Sequence, residues 1–140
     1  MTHTKAWLGQ LLLDRSGNVV LISAASMVPI LALIGGGLDM SRAYMATTQM
    51  QAACDAGTLA GRRAMGKSGV YTATEQAVAR RMFDANFDAA TINASGLTFE
   101  TNSNDQGQVT GTASARMPTV IMQMFNKDSL DISVECKAEL

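Results

Sequence analysis

Few side chains in this 140-residue chain have types and spacings suited to chemistry. Its single histidine, His3, stands ahead of a long uncharged run, so no credible nucleophile–base pair can be assembled around it. A metal site of the usual His/Cys kind would have to be assembled almost wholly from carboxylates. No glycine-rich phosphate loop occurs. Catalysis is therefore not expected, and neither is a cofactor or a metal. The two cysteines, Cys54 and Cys136, have two readings. In an oxidising compartment they bridge a helix to the last strand, or they are two small buried thiols. Asp39 and Arg42, at i and i+3, form the first charged pair after the uncharged run. They read as a docking contact for a partner at a membrane surface, or, with Tyr44, as an anchor at headgroup level. Asp55 reads as a structural cap or a partner contact.

The element that positions most of these residues begins in the uncharged run. Ser16 to Leu38 covers 23 residues without an ionisable side chain, enough for a helix to cross a hydrocarbon core of about 30 Å. Before it, Lys5 and Arg15 stand against Asp14, and Trp7 is placed as an interfacial anchor. That positive bias points to a cytoplasmic segment 1–15, a transmembrane helix 16–38 and a domain 39–140 on the periplasmic side. A cleaved signal peptide is the alternative, since Gly35, Gly36 and Gly37 supply small residues after the apolar stretch. The run is longer than an ordinary signal core, however, and helical periodicity continues through the would-be cleavage zone. Pro29 and the glycine triplet are soft points within it. Eleven basic residues against twelve acidic ones leave a net charge of −1 with no basic cluster, which disfavours nucleic acid as a partner.

Past Asp39 the helix is expected to continue to about Ala64. Ala43, Ala46, Met50, Ala53, Gly57, Ala60 and Ala64 recur at three- and four-residue spacing, beside a second stripe of Leu38, Met45, Ala52, Ala56 and Leu59. Tyr44, Thr48, Gln51, Asp55, Thr58 and Arg62 share the polar arc. The apolar arc is wide, so one part covers the chain's own domain, and the Ala stripe is expected to meet either that domain or another subunit. After Gly66-Lys-Ser-Gly69, Thr72-Ala-Thr-Glu75 has the form of a capping box. A second helix then runs to about Ala90, with Val78, Met82, Phe83, Ala85, Phe87 and Ala89 apolar. Arg80, Arg81, Asp84 and Asp88 line its solvated side. From Leu97 the period becomes two, giving a hairpin around 102–107 and a terminal strand from Leu130 to Leu140. Pro118 is placed to open a short helix through Phe125, and the methionines are expected mostly in the core. The sum is an α+β protein: a long transmembrane-plus-amphipathic helix, a second helix and a small three-stranded antiparallel sheet, pilin-like in outline.

Two stretches carry a resemblance. Arg15-Ser-Gly-Asn-Val-Val precedes the apolar run, and Gly37-Leu-Asp-Met-Ser-Arg-Ala-Tyr44 is followed by Gln51-Ala-Ala-Cys-Asp-Ala-Gly-Thr-Leu-Ala-Gly61. Together they resemble the N-terminal region of the TadE/TadG-like proteins of bacterial Flp (Tad) pilus assembly. The likeness covers residues 14 to 66 closely and the rest loosely. It implies an inner-membrane, periplasm-facing structural component of a type IVc pilus or tight-adherence apparatus, working through protein contacts. The family motif falls on Gly17, Asp39, Arg42, Tyr44, Gln51 and Asp55, while Cys54 stands where relatives usually have Ala. Processed members carry a Glu five residues after the Gly; here that position is Ile22, which favours the branch that stays anchored. The adhesion motif D-x-S-x-S of longer relatives is missing from this sequence, whose last residue, Leu140, is expected by alternation on the buried side of the terminal strand; a short member or a longer parent chain is expected. The expected partners are the lipid bilayer and other membrane or pilus-assembly proteins met through the Ala-rich face. An accessory subunit of another membrane complex, and a processed pseudopilin, are the competing readings.

Overall fold

The computed structural model describes residues 18–67 and 69–139. The expectations for residues 1–15, with His3, Lys5, Trp7 and Asp14, and for Gly17 lie outside the described residues. One helix, α1 (Asn18–Met65), runs unbroken for 48 residues through Pro29 and the glycine triplet, a length of about 70 Å at the α-helical rise. Pro29 removes one backbone donor, yet the helix continues through it. It stops at Gly66, whose φ of +56° is the left-handed conformation that closes helices. The Gly66 N–H returns to the Arg63 carbonyl at 3.1 Å.

The second helix, α2 (Ala73–Asn86), opens on the capping box expected of it: Thr72 is the N-cap, Thr74 N–H donates to its hydroxyl, and Glu75 accepts from the Thr72 backbone N–H. It ends four residues earlier than the expected Ala90. Phe87 turns extended, and the Asp88 carboxylate takes the Ala90 N–H and the Thr91 hydroxyl into a local turn that competes with helix. The charged side is solvated as expected, with Arg80 bonded to both oxygens of Asp84 at 2.9 Å.

Three strands complete the chain, β1 (Ser95–Ser103), β2 (Val109–Pro118) and β3 (Ser129–Ala138), in antiparallel order β1-β2-β3. Alternation settles which face is inward. Val109, Gly111, Ala113, Ala115 and Met117 of β2 are buried, as are Ile132, Val134, Cys136 and Ala138 of β3, with polar residues between them facing out. The upper half of α1 roofs this face, and α2 lies against α1 and β1. Where the helices cross, Gly57 leaves room for Phe83 and Phe99, whose rings stack at 4.3 Å between centroids. A Cβ on Gly57 would sit 2.9 Å from Phe99 and 3.0 Å from the Ala79 carbonyl.

Three expectations need correction. The Ala stripe is not a free face: Ala43, Ala46, Met50, Ala53 and Gly57 are buried under the chain's own sheet and second helix, and only Ala64 at its end is exposed. The sheet, being apolar on one side only, needed that cover. The methionines are divided rather than mostly core: Met50, Met65 and Met117 are buried, while Met27, Met40, Met45, Met82 and Met124 are exposed. Pro118 closes β2, paired with Ser129, instead of opening a helix. The helix expected through Phe125 shrinks to a four-residue 3-10 turn, Met122–Phe125.

Candidate membrane anchor and its boundary

The N-terminal part of α1 touches almost nothing. Its most apolar window has a mean hydropathy of 2.3 and is 6% buried, with Val19 72% and Leu33 77% exposed. Side chains so apolar are rarely left bare in a row on a soluble surface, and the helix is long and apolar enough to cross a membrane. The uncharged stretch ends where the first carboxylate, Asp39, is met.

Asp39 is expected from sequence to face a partner or a headgroup. It faces neither. Its carboxylate is fully buried and receives three backbone N–H groups: Val120 on Oδ1 at 2.9 Å, Ile121 on Oδ2 at 2.9 Å and Met122 on Oδ2 at 2.8 Å. Asp39 thus caps the 3-10 turn of the β2–β3 connection from 81 to 83 residues away in sequence. The Met122 N–H above all, with the other two amides and the Arg42 charge, holds its carboxyl below the usual carboxylate range, against the opposing effect of burial. Arg42 stands at 3.8 Å, an ion pair longer than a hydrogen bond. One turn below Asp39, Gly35 is buried under Ile121; a Cβ there would overlap the Ile121 side chain. The glycine expected as a soft point of the span is therefore the seat of a loop.

The remaining motif residues separate. Tyr44 is 75% exposed and points away from the sheet. Gln51 ties helix to strand, donating to the Glu135 carbonyl at 2.9 Å and to Asp55 at 3.1 Å. Asp55 is exposed and serves that tie. Thr58, assigned to the polar arc, is fully buried, with its hydroxyl on the Cys54 carbonyl and 2.9 Å from Cys136 Sγ. The structure joins Cys54 to Cys136 by a disulfide, with Cα atoms 5.8 Å apart. Both sulfurs lie inside the packed layer between α1 and the sheet. Asp39, Arg42 and the β2–β3 connection come together at one level of α1; Gln51, Cys54, Asp55 and Cys136 come together three to four turns higher.

Sequence reasoning missed the β2–β3 connection. Its signal was present: Val120, Ile121, Met122, Met124 and Phe125 crowd a segment too short and aperiodic for a helix, between two strands. A contiguous apolar loop of this kind is a candidate contact surface. Among the described residues no group of three His, Cys, Asp or Glu side chains is arranged to hold a metal ion.

These features define a class of protein: one membrane-length helix, exposed below and packed above, carrying a small disulfide-tied α+β head. Residues 17–80 match the Tad family model, described as "Putative Flp pilus-assembly TadE/G-like". That stretch, which takes in all of α1 and the first eight residues of α2, is TadE/G-like. No curated protein and no solved structure matches it.

Proposed function

We propose that this chain is a non-catalytic component of a Flp/Tad pilus-assembly or tight-adherence apparatus, held in the bacterial inner membrane by residues 16–38. Residues 1–15 lie in the cytoplasm and the domain 39–140 in the periplasm. It acts through protein contacts. The observation that carries the reading is the coincidence of the TadE/G-like stretch with a helix bare through its apolar half and packed through the rest. A disulfide within the head suits an oxidising compartment. With the Ala stripe covered, contacts with other proteins fall to the span and to the outward arc of α1, where Leu38, Met40, Tyr44 and Met45 are half or more exposed.

The test is cross-linking and capture in mild detergent, paired with intact mass and protease access from the periplasmic side. Pilus-platform or secretin proteins captured with a full-length chain whose head is cleaved from outside bear the proposal out. Capture of an unrelated membrane complex favours the accessory-subunit alternative. A mature chain lacking residues 1 to 17 marks a processed pseudopilin, one beginning near Gly36 or Asp39 marks a secreted module, and a head protected in the cytoplasm overturns the topology.

A further inference from the structure

The β2–β3 connection, residues 119–128, is built like an element rather than a linker. Thr119 N–H donates to the Asp128 carbonyl at 3.0 Å, and its hydroxyl donates to the Lys127 carbonyl. Lys127 N–H returns to the Met122 carbonyl at 3.1 Å, and Met124 N–H to that of Ile121 at 3.0 Å. The amides of Val120, Ile121 and Met122 are taken by Asp39. With the Asn126 N–H on the Gln123 carbonyl at 3.1 Å, seven of its backbone donors are satisfied within the protein. The apolar side chains are not: Met124 is 81% exposed, Phe125 53% and Val120 51%. A loop with its amides paired internally and its apolar side chains turned outward is suited to a medium with little water.

The loop is also fixed in height. Asp39 caps it and Ile121 fills the notch at Gly35, so it lies alongside the last turn of the uncharged run. Its apolar patch is continuous with the bare surface of the span, where Ile34 and Leu38 are 61% and 50% exposed. We propose that residues 119–128 form a second membrane contact, laying Val120, Met124 and Phe125 into the lipid interface beside the exit of α1. The occupant is the bilayer that surrounds the helix, and the inference rests on the anchored reading above. Asp39 then has two tasks: it closes the loop, and it is itself shielded, so that the first charge beyond the span with any exposure is the half-buried Arg42. The head is held to the membrane at two places and does not swing freely on its helix.

The test uses the full chain carrying Trp7→Phe, reconstituted in phosphatidylcholine vesicles with or without lipids brominated near the top of the acyl chain. Phe125→Trp provides the probe, Met124→Trp a second one in case the first disturbs folding, and Ile30→Trp in the span the control. The expected result is a blue-shifted loop tryptophan that brominated lipid quenches by a factor comparable to Ile30→Trp. Quenching of Ile30→Trp with water-like, unquenched emission from both loop probes overturns the loop contact and leaves the anchor standing. Blue-shifted but unquenched loop probes also overturn it, since protein rather than lipid then covers them. If Ile30→Trp itself escapes quenching, the anchored reading fails and the loop contact falls with it.

Discussion

Replacing both Cys54 and Cys136 with Ala removes a closure that encloses α2, β1 and β2 in one loop, since 82 residues separate the two sulfurs in sequence. In the chain-entropy treatment, freeing a loop of that length raises the entropy of the unfolded chain enough to lower stability by about 4.5 kcal/mol at 25 °C. Small domains are stable by only about 5–15 kcal/mol, so the head stands to lose a third or more of its stability. At roughly 4–8 °C per kcal/mol for a domain of this size, the melting temperature should fall by tens of degrees. The denaturant slope should rise as well, because an uncrosslinked unfolded chain exposes more surface. The assay is denaturant and thermal unfolding of the full chain in mild detergent, followed by near-ultraviolet circular dichroism, comparing the double variant with the wild-type chain with and without reductant. Alkylation of the unfolded, unreduced wild-type chain should add no label, because both thiols are consumed. A double variant that melts within a few degrees of wild type, with an unchanged slope, refutes the reasoning, as does labelling of both cysteines without reduction.

Asp39→Asn keeps the shape of the cap but turns one acceptor into a donor facing amides already donating. Hydrogen exchange at Val120, Ile121 and Met122 should quicken at least about tenfold, as loss of a charge-assisted bond implies, while α2 amides stay protected. Gly57→Val forces a side chain into the α1–α2 crossing against Phe99 and the Ala79 carbonyl; a loss of about 1–3 kcal/mol is expected from overpacking, read by urea denaturation, and an unchanged midpoint would contradict the close approach. Asp39 and Glu75 both have carboxyls held below their ordinary values, Glu75 chiefly by the Thr72 hydroxyl. The unfolded chain therefore binds protons before the folded one. Their contribution is complete above the ordinary values of 3.8 and 4.5 and is lost as pH falls below them. Unfolding curves from pH 6 down to 3 should show that decline, and Asp39→Asn should flatten it.

Much of this architecture could be read along the chain. Period-two alternation in 109–117 and 130–138 predicts the sheet and its inward residues, and the uncharged run followed by small residues at helical spacing predicts one continuous helix, because each pattern is a local consequence of backbone geometry. The capping box at Thr72 and Glu75 is equally local. Contacts between distant segments were not legible. Nothing around Asp39 announces that three amides some eighty residues away will claim its carboxylate, and the spacing that put Thr58 on the polar arc could not foresee Cys136 beneath it. Likewise the Ala stripe is the same sequence whether it meets another subunit or its own sheet. By itself the sequence determined most of the helix and strand segments and their apolar sides, since those depend on neighbours three, four or two residues away. Only the tertiary structure decided what each apolar side is pressed against, because that depends on which surfaces remain uncovered once the whole chain has packed.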